Sequence, residues 1–216
     1  MYFLIVIFIF LICYIFGSFP TGYLIGLYLK KIDIRNCGSG STGATNVLRT
    51  FGKKAAITVL LLDISKAMLG VLTTKLIISS ISSNILNPEW SSWLMVLGGS
   101  AVILGHSKSI FLNFTGGKSV ASSLGVLLVL NPIIALGTLA GFLITLFIFR
   151  IVSISSIVGV LIANLLTILL NQPLSYCLFI ISIGIYVIYR HQDNIVRILK
   201  GTEPKIGSKS QNKDQL

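Results

Sequence analysis

Almost every basic residue of this chain lies between long apolar runs and not inside them, which leaves few folds open to it. The runs cover residues 1–29, 55–81, 90–105, 118–149, 153–170 and 174–189. A helix needs about 20 apolar residues to cross the hydrocarbon core of a bilayer. With 54% hydrophobic residues against 11% charged ones, and a mean hydropathy of +0.93, a soluble domain of this size could not cover its apolar surface. The length of 216 residues suits one compact helical bundle. Residues 1–200 are expected to form a single membrane domain, and residues 201–216 a polar cytoplasmic tail without fixed structure. The first run lacks a basic leader and a clear cleavage site before Gly17-Ser18, so it reads as a spanning helix and not as a signal peptide.

Charge decides how the runs are divided. The run 118–149 contains Asn131-Pro132, and proline suits the first position of a helix. With a turn there, the chain is all-α: a polytopic bundle of seven transmembrane helices, N-terminus outside and C-terminus cytoplasmic. Lys30, Lys31, Arg35, Arg49, Lys53, Lys54, Lys108, Lys118, Arg150 and the basic tail then all lie inside, and the outer turns hold Glu89 without Lys or Arg. That is the positive-inside asymmetry. Without the turn, Arg150 and everything after it would change sides. The net charge of +11 is therefore read as topology and as affinity for anions, not as a nucleic-acid interface.

The inner segments carry the unusual chemistry. Residues 38–49 read Gly-Ser-Gly-Ser-Thr-Gly-Ala-Thr-Asn-Val-Leu-Arg. Gly38, Gly40 and Gly43 alternate with hydroxyl residues, so backbone N–H groups can line a hollow suited to phosphate. Ser39, Thr45 and Asn46 add polar groups, and Arg49 a permanently charged fork. A Gly/Ser linker is the plain alternative, although the Thr-Asn-x-x-Arg ending is unlike one. Gly116-Gly117-Lys118-Ser119 invites a P-loop reading, which fails because position 112 is leucine where Walker A needs glycine. What remains is a glycine pair and Lys118 at a helix start, itself favourable to an anion. Arg150 with Ser153 to Ser156, and Arg190-His191 with Asn194, stand at two further inner boundaries. Within the second run, Asp63 and Lys66 share a helix face; they form either a packing ion pair or part of the site. Lys75 is expected to snorkel outward.

Other chemistries are disfavoured. Cys13, Cys37 and Cys177 are scattered, and no cluster has metal-ligand spacing. There is no Gly-x-Ser-x-Gly elbow, and neither His106 nor His191 belongs to a His-x4-Asp pair. The residues alone thus describe a site at the inner face that holds phosphate-bearing molecules by position and charge, with no metal or cofactor.

In these segments the sequence resembles the bacterial acyl-phosphate-dependent glycerol-3-phosphate acyltransferases, an integral membrane family. Gly17-Ser-Phe-Pro20, the segment 38–49 with Gly52-Lys53, Asp63-Ile-Ser-Lys66, Gly105-His106, Phe111-Leu-Asn-Phe114, Gly116-Gly117-Lys118, residues 150–156 and residues 190–195 match its motifs in order. The resemblance implies seven helices and transfer of a fatty acyl group from acyl phosphate to the 1-hydroxyl of glycerol 3-phosphate, with membrane lipids as surroundings. It implies a site of Ser39, Arg49, Lys118, Ser156, His191 and Asn194, with neither metal nor protein nucleophile. Five positions depart from the usual pattern: Ser41 for asparagine, Ala67 for glycine, Ser109 for proline, Thr115 for lysine and Ser119 for glycine. Losing the lysine at position 115 is expected to weaken substrate binding. A phosphate-anion channel or transporter is the rival reading; it would require polar residues along several helices. A lipid-binding protein with a decayed site is a third.

Overall fold

The computed structural model describes residues 2–81 and 88–207. These contain ten α-helices: α1 (Tyr2–Ser18), α2 (Thr21–Lys30), α3 (Ala44–Phe51), α4 (Lys53–Ser80), α5 (Pro88–Ser107), α6 (Val120–Leu130), α7 (Pro132–Phe149), α8 (Val152–Leu169), α9 (Leu174–Arg190) and α10 (Gln192–Leu199). No strand occurs among the described residues; Ser109 and Thr115 form one isolated bridge. Four segments are long and apolar enough to cross a membrane: Phe3–Lys30, Lys53–Ser80, Pro132–Phe149 and Val152–Leu169. The pair α9 and α10, bent by 59°, makes a fifth if counted as one span, while α6 is apolar but short. Residues 82–87, in the expected outer turn, and 208–216, in the expected tail, lie outside the described residues.

The turn at Asn131-Pro132 is present. The Asn131 carboxamide oxygen accepts the N–H groups of Ile133 at 3.0 Å and Ile134 at 3.2 Å, and Pro132 opens α7 where a missing N–H costs nothing. Asn131 Nδ2 also donates to Gln172 Oε1 at 3.0 Å, which puts the α6–α7 and α8–α9 turns at the same end of the bundle. The basic segments meet at the other end. Arg35 donates to the carbonyl of Leu112, Arg190 to the carbonyl of Gly117, and the amide of Ile206 to the carbonyl of Arg150.

Packing follows small residues. α1 runs along α5, α4 along α6, and α7 along α8. At the first of these contacts a Cβ on Gly105 would stand 2.2 Å from the Tyr14 carbonyl oxygen, and one on Gly17 would stand 2.1 Å from that of Val102. Without a hydrophobic drive between helices in lipid, such close backbone approach supplies much of the attraction. Exposed Trp90 and Trp93 sit in the first turns of α5, as interface residues would.

Two features differ from the sequence reading. Residues 44–51 and 192–199, read as loop, are the short amphipathic helices α3 and α10; eight residues are too few for their pattern to stand out. The tail does not lose structure at residue 201. Residues 201–207 fold back, and the Glu203 side chain is only 2% exposed, because side-chain and backbone contacts hold the segment to the bundle. Asp63 and Lys66 do pair, at 2.9 Å. Replacing Gly105 with valine is expected to separate α1 from α5 and cost about 2 kcal/mol. A melting curve of the detergent-solubilised variant superimposable on the parent's would contradict this packing.

Candidate active site

A cavity of about 400 Å³ opens among the basic segments and continues between α6, α7, α8 and α9. Its mouth is polar, with Ser39, Arg49, Lys118, Ser153, Ser156, His191, Asn194 and Glu203 in the wall. Its depth is apolar, with Leu127, Leu139, Phe142, Phe179 and Ile183. The described chain thus carries one elongated chamber with a charged head and an oily interior.

The head is organised on Glu203. Its Oε1 accepts from Asn194 Nδ2 at 2.7 Å and from the Ser153 hydroxyl at 3.0 Å, and Arg49 approaches the same oxygen at 3.5 Å. Oε2 accepts from Arg197 Nε at 2.7 Å. Four elements, α3, α8, α10 and the tail, are tied to one buried carboxylate. Burial alone would raise the Glu203 pKa, but the donors Asn194 and Arg197 outweigh it and hold the carboxyl below its usual range. Asn194 continues the chain, since its Oδ1 accepts from Lys118 Nζ. Partial burial of Lys118, with Arg197 nearby, lowers its ammonium to about 8. His191 is buried at the start of α10; desolvation lowers its pKa to about 4, so the ring is neutral at ordinary pH. Its Nδ1–H donates to the Val187 carbonyl at 2.7 Å, which leaves Nε2 with a lone pair.

Loop 38–43 is shaped by Asn46. Its Nδ2 donates to the carbonyls of Cys37 and Ser41, both at 2.9 Å, while its Oδ1 accepts the Ser39 amide at 3.0 Å. Gly38, with φ +56°, would place a Cβ 2.3 Å from Asn46 Oδ1. Asn46 is therefore committed to the loop. Ser39, Gly43 and Thr45 line the cavity beside it, whereas Gly38 and Gly40 are not in its wall.

Lys118 rests on a buried polar knot. Asp63 Oδ1 accepts from the Thr21 hydroxyl at 2.6 Å and from Lys66 Nζ at 2.9 Å, with His106 Nδ1 3.4 Å away. Lys66 also donates to the Phe19 carbonyl at 2.7 Å. Gly117 lies flat on the His106 ring, where a Cβ would stand 2.1 Å from Nε2, and its amide donates to the His106 carbonyl at 3.2 Å. The sequence reading has Gly116 and Gly117 holding a phosphate. Neither lines the cavity, the Gly117 amide is already used, and their small size serves to pack the loop on His106.

The departures at positions 109, 115 and 119 find reasons. The Ser109 hydroxyl donates to the Ser18 carbonyl at 2.5 Å. Thr115 is exposed and outside the cavity wall, so the threonine removes no charge from it. Ser119 has φ +65°, a value that favours glycine, and its hydroxyl donates to the Ile103 carbonyl at 3.2 Å.

A family model described as glycerol-3-phosphate acyltransferase matches residues 7–201. The chain belongs to the glycerol-3-phosphate acyltransferase family. A glycerol-3-phosphate acyltransferase of Crocosphaera subtropica is 61% identical over 98% of each chain, and one of Rippkaea orientalis is 65% identical over 91% of this chain and 90% of that one. The crystal structure of PlsY, an integral membrane glycerol 3-phosphate acyltransferase, in its glycerol 3-phosphate form has a TM-score of 0.82, at 36% identity, over 94% of this chain and 96% of that one. Its lysophosphatidic acid form scores 0.79 at 34% identity, over 94% and 95%. This family member is accordingly an integral membrane protein of phospholipid synthesis.

Of the six residues expected in the site, all six line the cavity. The Ser156 hydroxyl donates back to the Val152 carbonyl at 2.9 Å, so toward a ligand it presents lone pairs. Sequence reasoning missed Glu203; Ser153 and Arg197 stood in the inner segments read from the sequence but not among the six site residues. The signal available for Glu203 was a single acid near the start of a basic tail, between Gly201 and Pro204. Glu203→Ala would leave Arg49 and Arg197 without their shared partner, at an expected cost of about 3 kcal/mol. Because the folded pKa is depressed, this stabilisation is complete above the ordinary carboxylate range and disappears as pH falls through the lowered value. Thermal melts of parent and variant should differ at pH 7 and converge in acid; equal melts at pH 7 would rule out the anchoring role.

Proposed function

We propose that the chain transfers a fatty acyl group from acyl phosphate to the sn-1 hydroxyl of glycerol 3-phosphate, giving lysophosphatidate and inorganic phosphate at the first step of phospholipid synthesis. The observation that carries this reading is the continuity of the chamber: Arg49 and Lys118 stand at one end and an apolar passage long enough for an acyl chain begins beside them. Both substrates are anionic at the reacting end, and they repel. Arg49 and Lys118 offset that repulsion and stabilise the charge on the departing phosphate. Ser39 and Asn194 orient the phosphates, while Ser156 and the Nε2 of neutral His191 offer lone pairs to glycerol hydroxyls. The glycerol oxygen attacks the acyl carbon and the acyl–phosphate C–O bond breaks. The hydroxyl proton leaves with the phosphate, so no protein base is required. Acyl phosphate is already an activated anhydride, and positioning with charge is sufficient catalysis. An anion channel is less well supported, since a phosphate passing the mouth would meet Leu127, Phe179 and Ile180.

The membrane placement belongs to the same reading. Seven crossings, with the N-terminus outside and the mouth and tail at the cytoplasmic face of a bacterial inner membrane, agree with the gathering of basic segments at one end.

Purified protein given palmitoyl phosphate and labelled glycerol 3-phosphate should form labelled lysophosphatidate, and palmitoyl-CoA should not replace the donor. A product formed from palmitoyl-CoA alone would overturn the donor assignment. Arg49→Ala and Lys118→Ala are each expected to lower kcat/KM about 100-fold; near-parental rates in both would remove the anion site. Since Lys118 must be charged, the rate should fall as pH rises through about 8, and Lys118→Arg should move that fall upward. The neutral His191 should add no inflection between pH 5 and 7 to that of the substrate phosphates; an inflection there that disappears in His191→Ala would contradict its assigned state.

A further inference from the structure

Beyond the charged mouth, lining residues on α7, α8 and α9 stand at a similar distance from the mouth ends of their helices. At about 1.5 Å of rise per residue, Ala163 and Asn164 lie roughly 17 Å past Val152 at the start of α8, and Leu127 roughly 11 Å past Val120 on the shorter α6. By the same rise, Thr138 lies about 17 Å from the mouth end of α7, and Phe179 about 18 Å from His191 along α9. All five line the cavity. Phe179 is 7% exposed and is backed by α5: a Cβ on Gly99 would stand 3.1 Å from its Cζ, so the ring has nowhere to retreat. Two polar groups stand at the same depth. The Thr138 hydroxyl is buried without a partner, and the Asn164 amide donates only to the Val160 carbonyl of its own helix, at 2.9 Å.

These groups bear differently on an acyl chain. Each methylene buried against apolar side chains strengthens binding about fourfold. A chain long enough to reach the floor meets a ring that cannot move, and beside it a hydroxyl and an amide that gain nothing from methylene. The advantage of added length therefore stops at this level. We propose that Phe179 and Ala163, with Thr138 and Asn164 beside them, form a floor that sets the length of acyl chain accepted. This inference rests on the acyl-transfer reading above and adds a specificity determinant to it.

The test compares kcat/KM for myristoyl, palmitoyl and stearoyl phosphate in the parent and two variants. Phe179→Ala deepens the chamber and should raise the stearoyl-to-myristoyl ratio about tenfold, and Ala163→Leu should lower it by a similar factor. The same ratios are read, without turnover, from binding of lysophosphatidates of those chain lengths, so a variant that folds but turns over poorly still answers. Ratios unchanged in both variants would overturn the floor. They would show that the chain leaves sideways into lipid, past Leu60 and Leu143, which line the chamber and are 40% and 52% exposed. A protein that sorts lysophosphatidates by length through these residues, yet takes no acyl group from acyl phosphate, would sink the donor assignment and leave the floor standing.

Discussion

The arrangement depends on keeping several positive side chains together at the edge of an apolar medium. Arg49, Lys118 and Arg197 converge there, and like charges in partly desolvated surroundings repel. Glu203 makes the convergence tolerable. Its two oxygens accept from α8 and α10 and draw in Arg49 of α3. Helices as short as α3 and α10 would not persist in water alone. They hold their places because the carboxylate anchors them. A charged site built this way is preorganised before any ligand arrives.

A second device supports the same site from beneath. Lys118 sits after two glycines laid on His106, and His106 stands beside Asp63, which is held by Thr21 and Lys66. Ionisable groups within a bundle are costly unless paired. Here their pairing fixes helices α2, α4 and α5 relative to one another and, through Gly117, the backbone that carries Lys118. Arg190 adds a bond from α9 to the Gly117 carbonyl at 3.0 Å. The glycine pair, which looks from its sequence like an anion cradle, packs closely on His106 and delivers a lysine.

Much of this was legible without coordinates. Apolar runs and their flanking lysines gave the helices, because lipid demands unbroken apolar length and a charge cannot be left in it. The side on which each loop falls forced a turn at Asn131, and Asn131 caps α7 there. Ser39, Arg49, Lys118, Ser156, His191 and Asn194 could be named from motifs and all reach the cavity. Glu203 could not. A carboxylate in a polar tail looks solvated, and its burial depends on partners 6 to 154 residues away in the chain. Nor could loop spacing reveal that Asn46 spends its amide on the loop, since that requires the carbonyls of Cys37 and Ser41 to face it.

By itself, then, the sequence determined a lipid-embedded helical bundle, the segregation of its basic segments and the chemical kind of site they make. These follow from composition and spacing along one dimension, where solvation energy is decided residue by residue. Only the tertiary structure decided which polar groups spend their hydrogen bonds on the protein and which stay open to a ligand. It alone set which residues line the apolar chamber, Phe179 among them. Both are questions of distance between residues remote in the chain, and a linear pattern carries no such distances.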